Sequence, residues 1–449
     1  MNVSLGEMSD MKRRVVVTGI GTVNPLGSSV AESWSGIREG RHGIGPITLF
    51  DAAQFEVKVA AEVKNFDPTI RLNRREALRM ARFTQFALYA AAEALEMAGI
   101  AKREAGKETD VNRQSTNMNS GTDGSYGEDG NRIGIRTDAG AIISSGIGGL
   151  SVIEKEHVRG MEKGYEKVSP FFIPMTISNM AAARVAIDYG FGGLCTCPVT
   201  ACAGGNNAIG DAFHRIRDGY ENLMVCGGTE AAITPLGIGG FSSMKALCRA
   251  EDPNRASIPF DAERSGFVMG EGAGILVLEE REHALQRGVH ILAEIVGYGA
   301  NCDAYHITAP APKGAGGAAC MKLALEDAGI APEEIDYVNA HGTSTHLNDA
   351  GETQALKMVL GQHAYEIPVS STKSATGHLL GGAGGVEAVF CVKALEEGFV
   401  PPTVGLQKAD PECDLNYVPG KGYAAELNYV LSNGLGFGGH NACLIFRKA

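Results

Sequence analysis

The sequence has a single tryptophan among its 449 residues, and aromatic side chains make up only 6% of it. Hydrophobic residues still account for 44% and charged residues for 20%, a composition typical of a folded globular protein. No apolar run reaches the roughly 18 residues that a membrane helix needs. The first ten residues also lack the basic and then apolar order of a secretory signal peptide, so we expect a cytoplasmic protein without a membrane partner.

Positive charge is scarce, because 40 lysines and arginines stand against 52 aspartates and glutamates, a formal net charge of -12. Neutralising the phosphates of a nucleic acid requires clustered basic side chains. The balance therefore argues against a nucleic-acid partner. An anionic partner has to bind a local basic patch.

Cysteine and histidine spacings typical of metal sites are missing as well. The ten cysteines fall at irregular intervals, and Cys195, Cys197 and Cys202 form neither paired CxxC motifs nor a group with a partnered His-x3-His. We therefore expect reduced thiols and no metal.

Glycine is abundant, and 60 glycines exceed the usual share of about 7%, which predicts many close backbone contacts. Short β-branched runs alternate with helical patterns, the longest of which covers residues 76–100. This alternation predicts an α/β fold with largely parallel central strands. The element order predicts two halves, residues 12–289 and 290–449, with a polar surface insertion at about 102–131.

One cysteine is predicted to lie at a strand-to-helix turn. Cys202 is followed by small residues and then by an amphipathic helical pattern up to Gly219. A sulfur at the positive end of a helix is favoured as thiolate, which would make it a nucleophile. Free cysteines are also common as small apolar core residues, so the local pattern leaves both interpretations open.

Two histidine-containing stretches lie far along the chain from that cysteine. His341 comes just after a predicted strand, and Lys373 and His378 lie in a loop that enters a helix. Open α/β sheets place ligand-binding groups in such loops at the ends of strands. Together with Cys202, these residues outline one possible site.

Four motifs in this order resemble the β-ketoacyl-[acyl-carrier-protein] synthases. They are TAC at 200–202, NAHGTST at 339–345, STKSATGH at 371–378 and GFGG at 436–439. The resemblance covers residues 12–449 apart from the insertion. It implies a thiolase-like fold of five layers, αβαβα, built from two similar halves and working as a homodimer.

The resemblance also implies a decarboxylative Claisen condensation. Cys202 would carry an acyl chain as a thioester, and His341 and His378 would stabilise the enolate formed when a malonyl thioester loses carbon dioxide. Preorganised donors of this kind contribute roughly 3–4 kcal/mol each. Lys373 would tune the local field, and the backbone N–H groups of Cys202 and Phe437 would bind the acyl oxygen.

The same resemblance assigns supporting and binding residues. Glu352 would belong to the supporting network, and the substrates would arrive on the phosphopantetheine of acyl carrier protein without another cofactor. Ile147 and Phe241 would line the acyl tunnel, and the side chain at 147 favours a type II synthase. His306 and Thr308 would lie near the malonyl and pantetheine channel. The candidate docking patch for the acidic carrier protein comprises Arg74, Arg75, Arg79, Arg82 and Lys245.

Related activities share these motifs in part. A type I synthase or a free-standing polyketide ketosynthase would use the same catalytic residues. A chain-length factor, which is a non-enzymatic partner protein, generally lacks the cysteine that is present here. A thiolase would need a second catalytic cysteine, and Cys443 lacks the CxG-type setting. We therefore expect an enzyme of fatty acid biosynthesis, a type II β-ketoacyl synthase.

Overall fold

The computed structural model describes residues 12–103 and 135–449. Strands and helices alternate along this part of the chain. The strands are β1 (Val15–Val23), β2 (Gly45–Pro46), β3 (Val59–Ala60), β4 (Ala139–Ser144), β5 (Cys195–Thr196), β6 (Leu223–Glu230), β7 (Gly272–Glu280), β8 (Ala293–Cys302), β9 (Tyr337–Asn339), β10 (Val369–Ser370), β11 (Phe399–Val400), β12 (Tyr423–Ala424), β13 (Tyr429–Gly436) and β14 (His440–Lys448). The helices are α1 (Val30–Arg38), α2 (Arg74–Ala77), α3 (Arg82–Met97), α4 (Leu150–Lys163), α5 (Phe172–Thr176), α6 (Met180–Tyr189), α7 (Gly204–Arg217), α8 (Pro235–Ser243), α9 (Arg281–Arg287), α10 (Ala315–Ala328), α11 (His346–Leu360), α12 (Lys373–Thr376) and α13 (Ala383–Glu397).

Ten strands are hydrogen-bonded in the order β10-β9-β13-β14-β8-β1-β7-β6-β4-β5. The five strands from β1 to β5 in this order come from the first part of the chain, and the five from β10 to β8 come from the last part. The two groups join where β1 pairs with β8 over the short stretch from Val15 to Val17. The chain therefore builds two five-stranded units.

Helices cover both faces of each five-stranded unit. Helices α3 and α6 pack on the outer face of the first unit, and α10 and α11 on the outer face of the second. Helices α7 and α13 contact strands of both units and lie between them. The order of layers is α, β, α, β, α, so the predicted five-layered α/β architecture is confirmed.

The central helix layer explains why two distant segments meet. Helix α13 is buried on all sides over most of its length, as its run of small and apolar residues requires. It crosses α7 at Gly205 and Gly385, where a Cβ atom on Gly205 would lie 2.7 Å from the backbone nitrogen of Gly385. Only glycine permits this approach. This close crossing brings the turn that precedes α7 and the turn that precedes α13 to one place.

Two details of the fold differ from the sequence-based expectation. The helix predicted over 76–100 is split into α2 and α3, because Ala81 is extended (φ -70°, ψ 159°) and buried. Within the ten-stranded order of the described residues, five of the nine neighbouring strand pairs are antiparallel, so the sheets are mixed with a larger antiparallel share than predicted. The parallel pairs lie at the two outer ends of the strand order. The boundary between the predicted halves stays a prediction.

The predicted insertion at 102–131 lies outside the described residues from residue 104 onward. Within 12–103 and 135–449, no helix is both long enough and apolar enough to cross a membrane.

Candidate active site

Three neighbouring parallel strands of the second unit end at the same edge of the sheet. Strand β9 pairs in parallel with both β10 and β13. His341 follows β9, Lys373 follows β10 and Phe437 follows β13. Because parallel strands direct their carboxyl ends to one edge, residues separated by nearly 100 positions converge there.

The turn before α7 brings the cysteine to the same place. Cys202 lies in a short 3-10 helix, Ala201–Ala203, and Ala201 adopts the strained left-handed conformation with φ +48°. The cysteine is 9% exposed and lines a cavity of about 370 Å³. His341, His378 and Phe437 line the same cavity. The structure therefore brings the predicted nucleophile and both predicted histidines together.

The charge state of the Cys202 thiol differs from the expectation. Burial raises its pKa to about 12, even though the Lys373 ammonium and a hydrogen bond from the Phe437 backbone N–H both act in the opposite direction. The predicted preference for thiolate at the start of a helix is therefore wrong for the free protein, because desolvation exceeds the favourable contributions. The thiol is protonated at neutral pH.

Lys373 is fully buried and fixes the loop that carries His341. Its ammonium donates a hydrogen bond to the backbone carbonyl of His341 at 2.7 Å and another to Glu387 Oε1 at 2.5 Å. Its Nζ also lies 3.3 Å from His341 Nδ1. An ammonium can only donate, so Nδ1 accepts and the proton of a neutral His341 is on Nε2.

Both histidines favour the uncharged imidazole. Burial lowers the pKa of His341 well below its usual range, and the Lys373 charge and His378 lower it further. Burial followed by the Lys373 charge does the same for the pKa of His378. The two rings are edge to face with centroids 5.3 Å apart, and His378 also packs against the ring of Phe267. The cavity thus has two neutral imidazoles on its wall.

Glu352 supports the loop after β9 from the opposite side. Its carboxylate accepts hydrogen bonds from the backbone N–H groups of His341 and Gly342, each at 2.8 Å, and from the side chain of Asn433 at 3.1 Å. Glu352 is almost fully buried, and burial raises its pKa. These contacts position the His341 backbone.

The residues predicted for the acyl tunnel adjoin the cysteine. Ile147 and Phe241 pack against the apolar cluster that contains Cys202. Phe241 also lines the cavity, with its ring centroid 6.3 Å from that of Phe437. The two aromatic rings are therefore neighbours on the cavity wall.

The other predicted binding residues divide into two groups. Thr308 and Lys245 line the cavity. His306 is exposed and is not among the residues that line it; its Nδ1 instead accepts hydrogen bonds from the backbone N–H groups of Thr308 and Ala309, each at 3.1 Å. His306 thus shapes the loop that presents Thr308.

The arginines predicted to dock a carrier protein differ in availability. Arg74 and Arg75 are exposed and form no ion pair within the described part of the chain. The Arg79 guanidinium lies over the Phe171 ring at 5.0 Å. Arg82 does not fit the predicted patch, because its guanidinium is held by two hydrogen bonds to the buried carboxylate of Glu271.

Two features of the site were missed at the sequence level. Glu387, the partner of Lys373, is a lone carboxylate in the apolar start of α13, and that isolation is the signal that could have indicated it. Asn207 on α7 accepts a hydrogen bond from Thr200 at 2.6 Å and donates one to Tyr298 at 2.7 Å. It thereby braces the turn that carries Cys202.

Comparison with known proteins matches this geometry to one family. Residues 12–284 match the model of the β-ketoacyl synthase N-terminal domain, and residues 292–407 match that of the C-terminal domain. The chain belongs to the β-ketoacyl synthase family. As a member, it is a condensing enzyme, an acyltransferase that forms a carbon–carbon bond, and its fold is thiolase-like.

Similar β-ketoacyl synthases include curated and structurally characterised proteins. The chain is 50% identical to the 3-oxoacyl-[acyl-carrier-protein] synthase 2 of Synechocystis sp., over 97% of this chain and 98% of that protein. The ishigamide ketosynthase/chain length factor aligns with a TM-score of 0.85 at 35% identity, covering 98% of this chain and 100% of the other. One chain from the structure of a type II polyketide acyl-carrier protein in complex with its ketosynthase aligns with a TM-score of 0.84 at 33% identity, with the same coverage.

Proposed function

We propose that the chain is a type II 3-oxoacyl-[acyl-carrier-protein] synthase that elongates acyl chains in fatty acid biosynthesis. The observation that carries this proposal is the cavity shared by Cys202, His341 and His378. A thiol beside two neutral N–H donors suits an acyl-enzyme that meets an enolate. The similarity to a 3-oxoacyl-[acyl-carrier-protein] synthase 2 supports the same substrate class.

In the first step, Cys202 attacks the thioester of an acyl carrier protein. The Cys202 sulfur forms the new thioester bond, the bond to the pantetheine sulfur breaks, and that sulfur gains the proton that the thiol loses. The Phe437 backbone N–H already donates to the Cys202 sulfur, so it is close to the position of the acyl oxygen. Together with the Cys202 N–H, it would stabilise the negative charge on that oxygen.

In the second step, a malonyl thioester loses carbon dioxide beside the acyl-enzyme. The electrons of the broken bond pass to the thioester oxygen, which the Nε2–H of His341 and the N–H of His378 would stabilise. The resulting carbanion attacks the acyl carbonyl, and the Cys202 sulfur leaves as thiolate and then takes up a proton. Lys373 and Glu352 would act as positioning residues, because their contacts hold the His341 loop.

Elongation assays test this function directly. The purified chain, supplied with malonyl carrier protein and acyl primers of several lengths, should give products two carbons longer than each primer, as a 3-oxo thioester. Repeated rounds that leave every keto group in place would instead support a free-standing polyketide ketosynthase. The observation behind that alternative is the likeness, at 33% identity, to a structure of a type II polyketide acyl-carrier protein with its ketosynthase. No product with any primer would contradict the proposal.

We also propose a homodimer. Strand β5 ends the strand order, and within the described residues its outer edge is unpaired. The apolar side chains of Ile187, Leu194 and Val199 are exposed around it. An unpaired edge beside apolar side chains suits a second copy of the chain. Light scattering should give twice the chain mass, and a measured mass equal to that of one chain would contradict the dimer.

The absence of a cofactor and the cytoplasmic location stay predictions.

The lowered pKa values of His341 and His378 predict how far the pH can fall before malonyl decarboxylation slows. In Cys202→Ala, where no acyl-enzyme forms, malonyl decarboxylation should stay constant from about pH 8 to 6.5, because both pKa values lie well below 6.5 and the imidazoles stay neutral. It should fall only at lower pH. The double variant Lys373→Met/Glu387→Gln removes the cation together with its buried partner, so the fall should move to higher pH. A fall in the decarboxylation rate centred near pH 6.5 in Cys202→Ala alone would contradict the assignment of two neutral imidazoles.

Carrier-protein docking predicts an effect limited to carrier-bound substrates. We expect Arg74→Ala/Arg75→Ala to raise KM for malonyl carrier protein about 2–5-fold per arginine removed, with less effect at high salt and little change in kcat. Lys322→Ala, an exposed lysine on α10 in the opposite outer layer, is the matched control. An equal rise in KM for a malonyl thioester of free pantetheine would contradict docking.

A further inference from the structure

One buried carboxylate beside the active site has no part in the mechanism above. Glu230, the last residue of β6, is fully buried. Its four hydrogen-bond partners among the described residues are neutral, three backbone N–H groups and one hydroxyl. Burying a carboxylate without a paired cation is costly, so this arrangement indicates a specific role.

The four donors come from two turns on different halves of the molecule. Oε1 accepts from the Ser145 hydroxyl at 3.1 Å and the Ile147 N–H at 3.2 Å. Oε2 accepts from the Gly146 N–H at 2.8 Å and the Gly381 N–H at 3.2 Å. Ser145 to Ile147 follow β4 in the first unit, whereas Gly381 lies just after His378 in the second. The carboxylate therefore bridges the two units.

The two turns approach each other so closely that a side chain on Gly381 would meet the backbone of the other turn. A Cβ atom on Gly381 would lie 2.6 Å from the Gly146 nitrogen and 3.1 Å from Glu230 Oε2. Leu380, which precedes Gly381, adopts φ +50° although it is not glycine. Such a conformation persists only where the surroundings hold it. The hydrogen bond from Gly381 to Glu230 is one of the contacts that hold this turn.

The side chains carried by these turns form part of the wall near the cysteine. Leu380 lines the cavity, and it belongs to the same apolar cluster as Cys202. Ile147 packs against this cluster from the other turn. An apolar chain attached to Cys202 that extended into this cluster would meet Leu380 from one turn and Ile147 from the other.

We propose that Glu230 is a positioning residue that sets the acyl chain-length preference by holding the turn at Ile147 against the turn at Leu380. This inference rests on the proposed condensing function. In Glu230→Gln an NH2 group replaces one of the two oxygens, so two of the four donors no longer face an acceptor oxygen. The contact between the two turns is then weaker, and the pocket is expected to lengthen.

The test compares chain-length profiles. We expect Glu230→Gln to raise the ratio of kcat/KM for a sixteen-carbon primer to that for an eight-carbon primer at least about fivefold, on the order of the gain from one to two buried methylenes. Glu62→Gln is the matched control. Glu62 is also buried and bonded to neutral donors of Thr48 and Leu49, but it does not line the cavity, and its variant should leave the ratio unchanged.

A second variant keeps the test decisive if Glu230→Gln does not fold. Ser145→Ala removes one donor to Glu230 and the acceptor of the Gly148 N–H, and should raise the same ratio by a smaller factor. An unchanged or lower ratio in the folded variants, together with an altered ratio in Ile147→Ala, would overturn the role of Glu230 and leave the condensing function intact. Failure of the unmodified chain to form an acyl adduct would instead overturn the proposed function.

Discussion

Replacing Cys202 by alanine is expected to abolish covalent acylation and to lower the condensation rate by at least about a thousandfold, because Cys202 is the only thiol among the described residues that line the cavity with the two histidines. Intact-protein mass measurement after mixing with an acyl carrier protein thioester should show one acyl group per unmodified chain and none on Cys202→Ala. Malonyl decarboxylation should persist in the variant, since the imidazoles remain.

A neighbouring cysteine provides the control for that experiment. Cys197 is half-buried, burial also raises its pKa, and it does not line the cavity. Cys197→Ala should therefore acylate like the unmodified chain. An adduct that survives in Cys202→Ala, or that disappears in Cys197→Ala, would show that a different sulfur carries the acyl chain.

The raised pKa of Cys202 limits how its thiol can become a nucleophile. A thiol with a pKa of about 12 is almost entirely protonated at neutral pH, so the resting site does not store a thiolate. Burial is the main cause that raises this pKa, and Glu230 and Glu387 add to it, whereas Lys373 and the Phe437 N–H lower it. Reactivity therefore has to come from proton transfer during the attack and from donors that stabilise the acyl oxygen.

The sequence predicted the main parts of the fold and site because those parts depend on local patterns. Alternating strand and helix signals indicated the layered α/β fold, and the motif around His341 indicated its position at the end of a strand. Each of these signals spans a few residues of contiguous chain. The observed cavity brings Cys202, His341 and His378 together as the motifs implied.

The features that were not predicted depend on contacts between distant segments. The pKa of Cys202 depends on how deeply the turn is buried and on charges contributed by β6 and α13. Arg82 is held by Glu271, 189 positions later, which no local charge pattern could indicate. The break at Ala81 likewise reflects the tertiary packing of buried residues around it, which overrides helix propensity.

The second large effect concerns the two histidines. We expect His341→Ala and His378→Ala each to slow malonyl decarboxylation about 100- to 1,000-fold, because each removes one preorganised donor from the enolate oxygen in a water-poor cavity. The loss should appear mainly in kcat, since the charge on that oxygen develops only in the transition state. Measuring the rate in the Cys202→Ala background isolates this step from acyl transfer.

The two histidines are held by different contacts, but both variants are expected to leave the first step, acylation of Cys202, intact. His341 is held by Lys373 and Glu352, whereas His378 packs against Phe267 and the His341 ring. His363→Ala, which removes a histidine bonded to the Ile335 carbonyl and outside the cavity, is the control and should decarboxylate normally. Because neither catalytic ring is assigned to the acyl oxygen, both variants should still acquire one acyl group on Cys202. Unchanged decarboxylation in both variants would show that the two histidines do not stabilise the enolate. Loss of acylation in both would show instead that they act in the first step, the transfer of the acyl chain to Cys202.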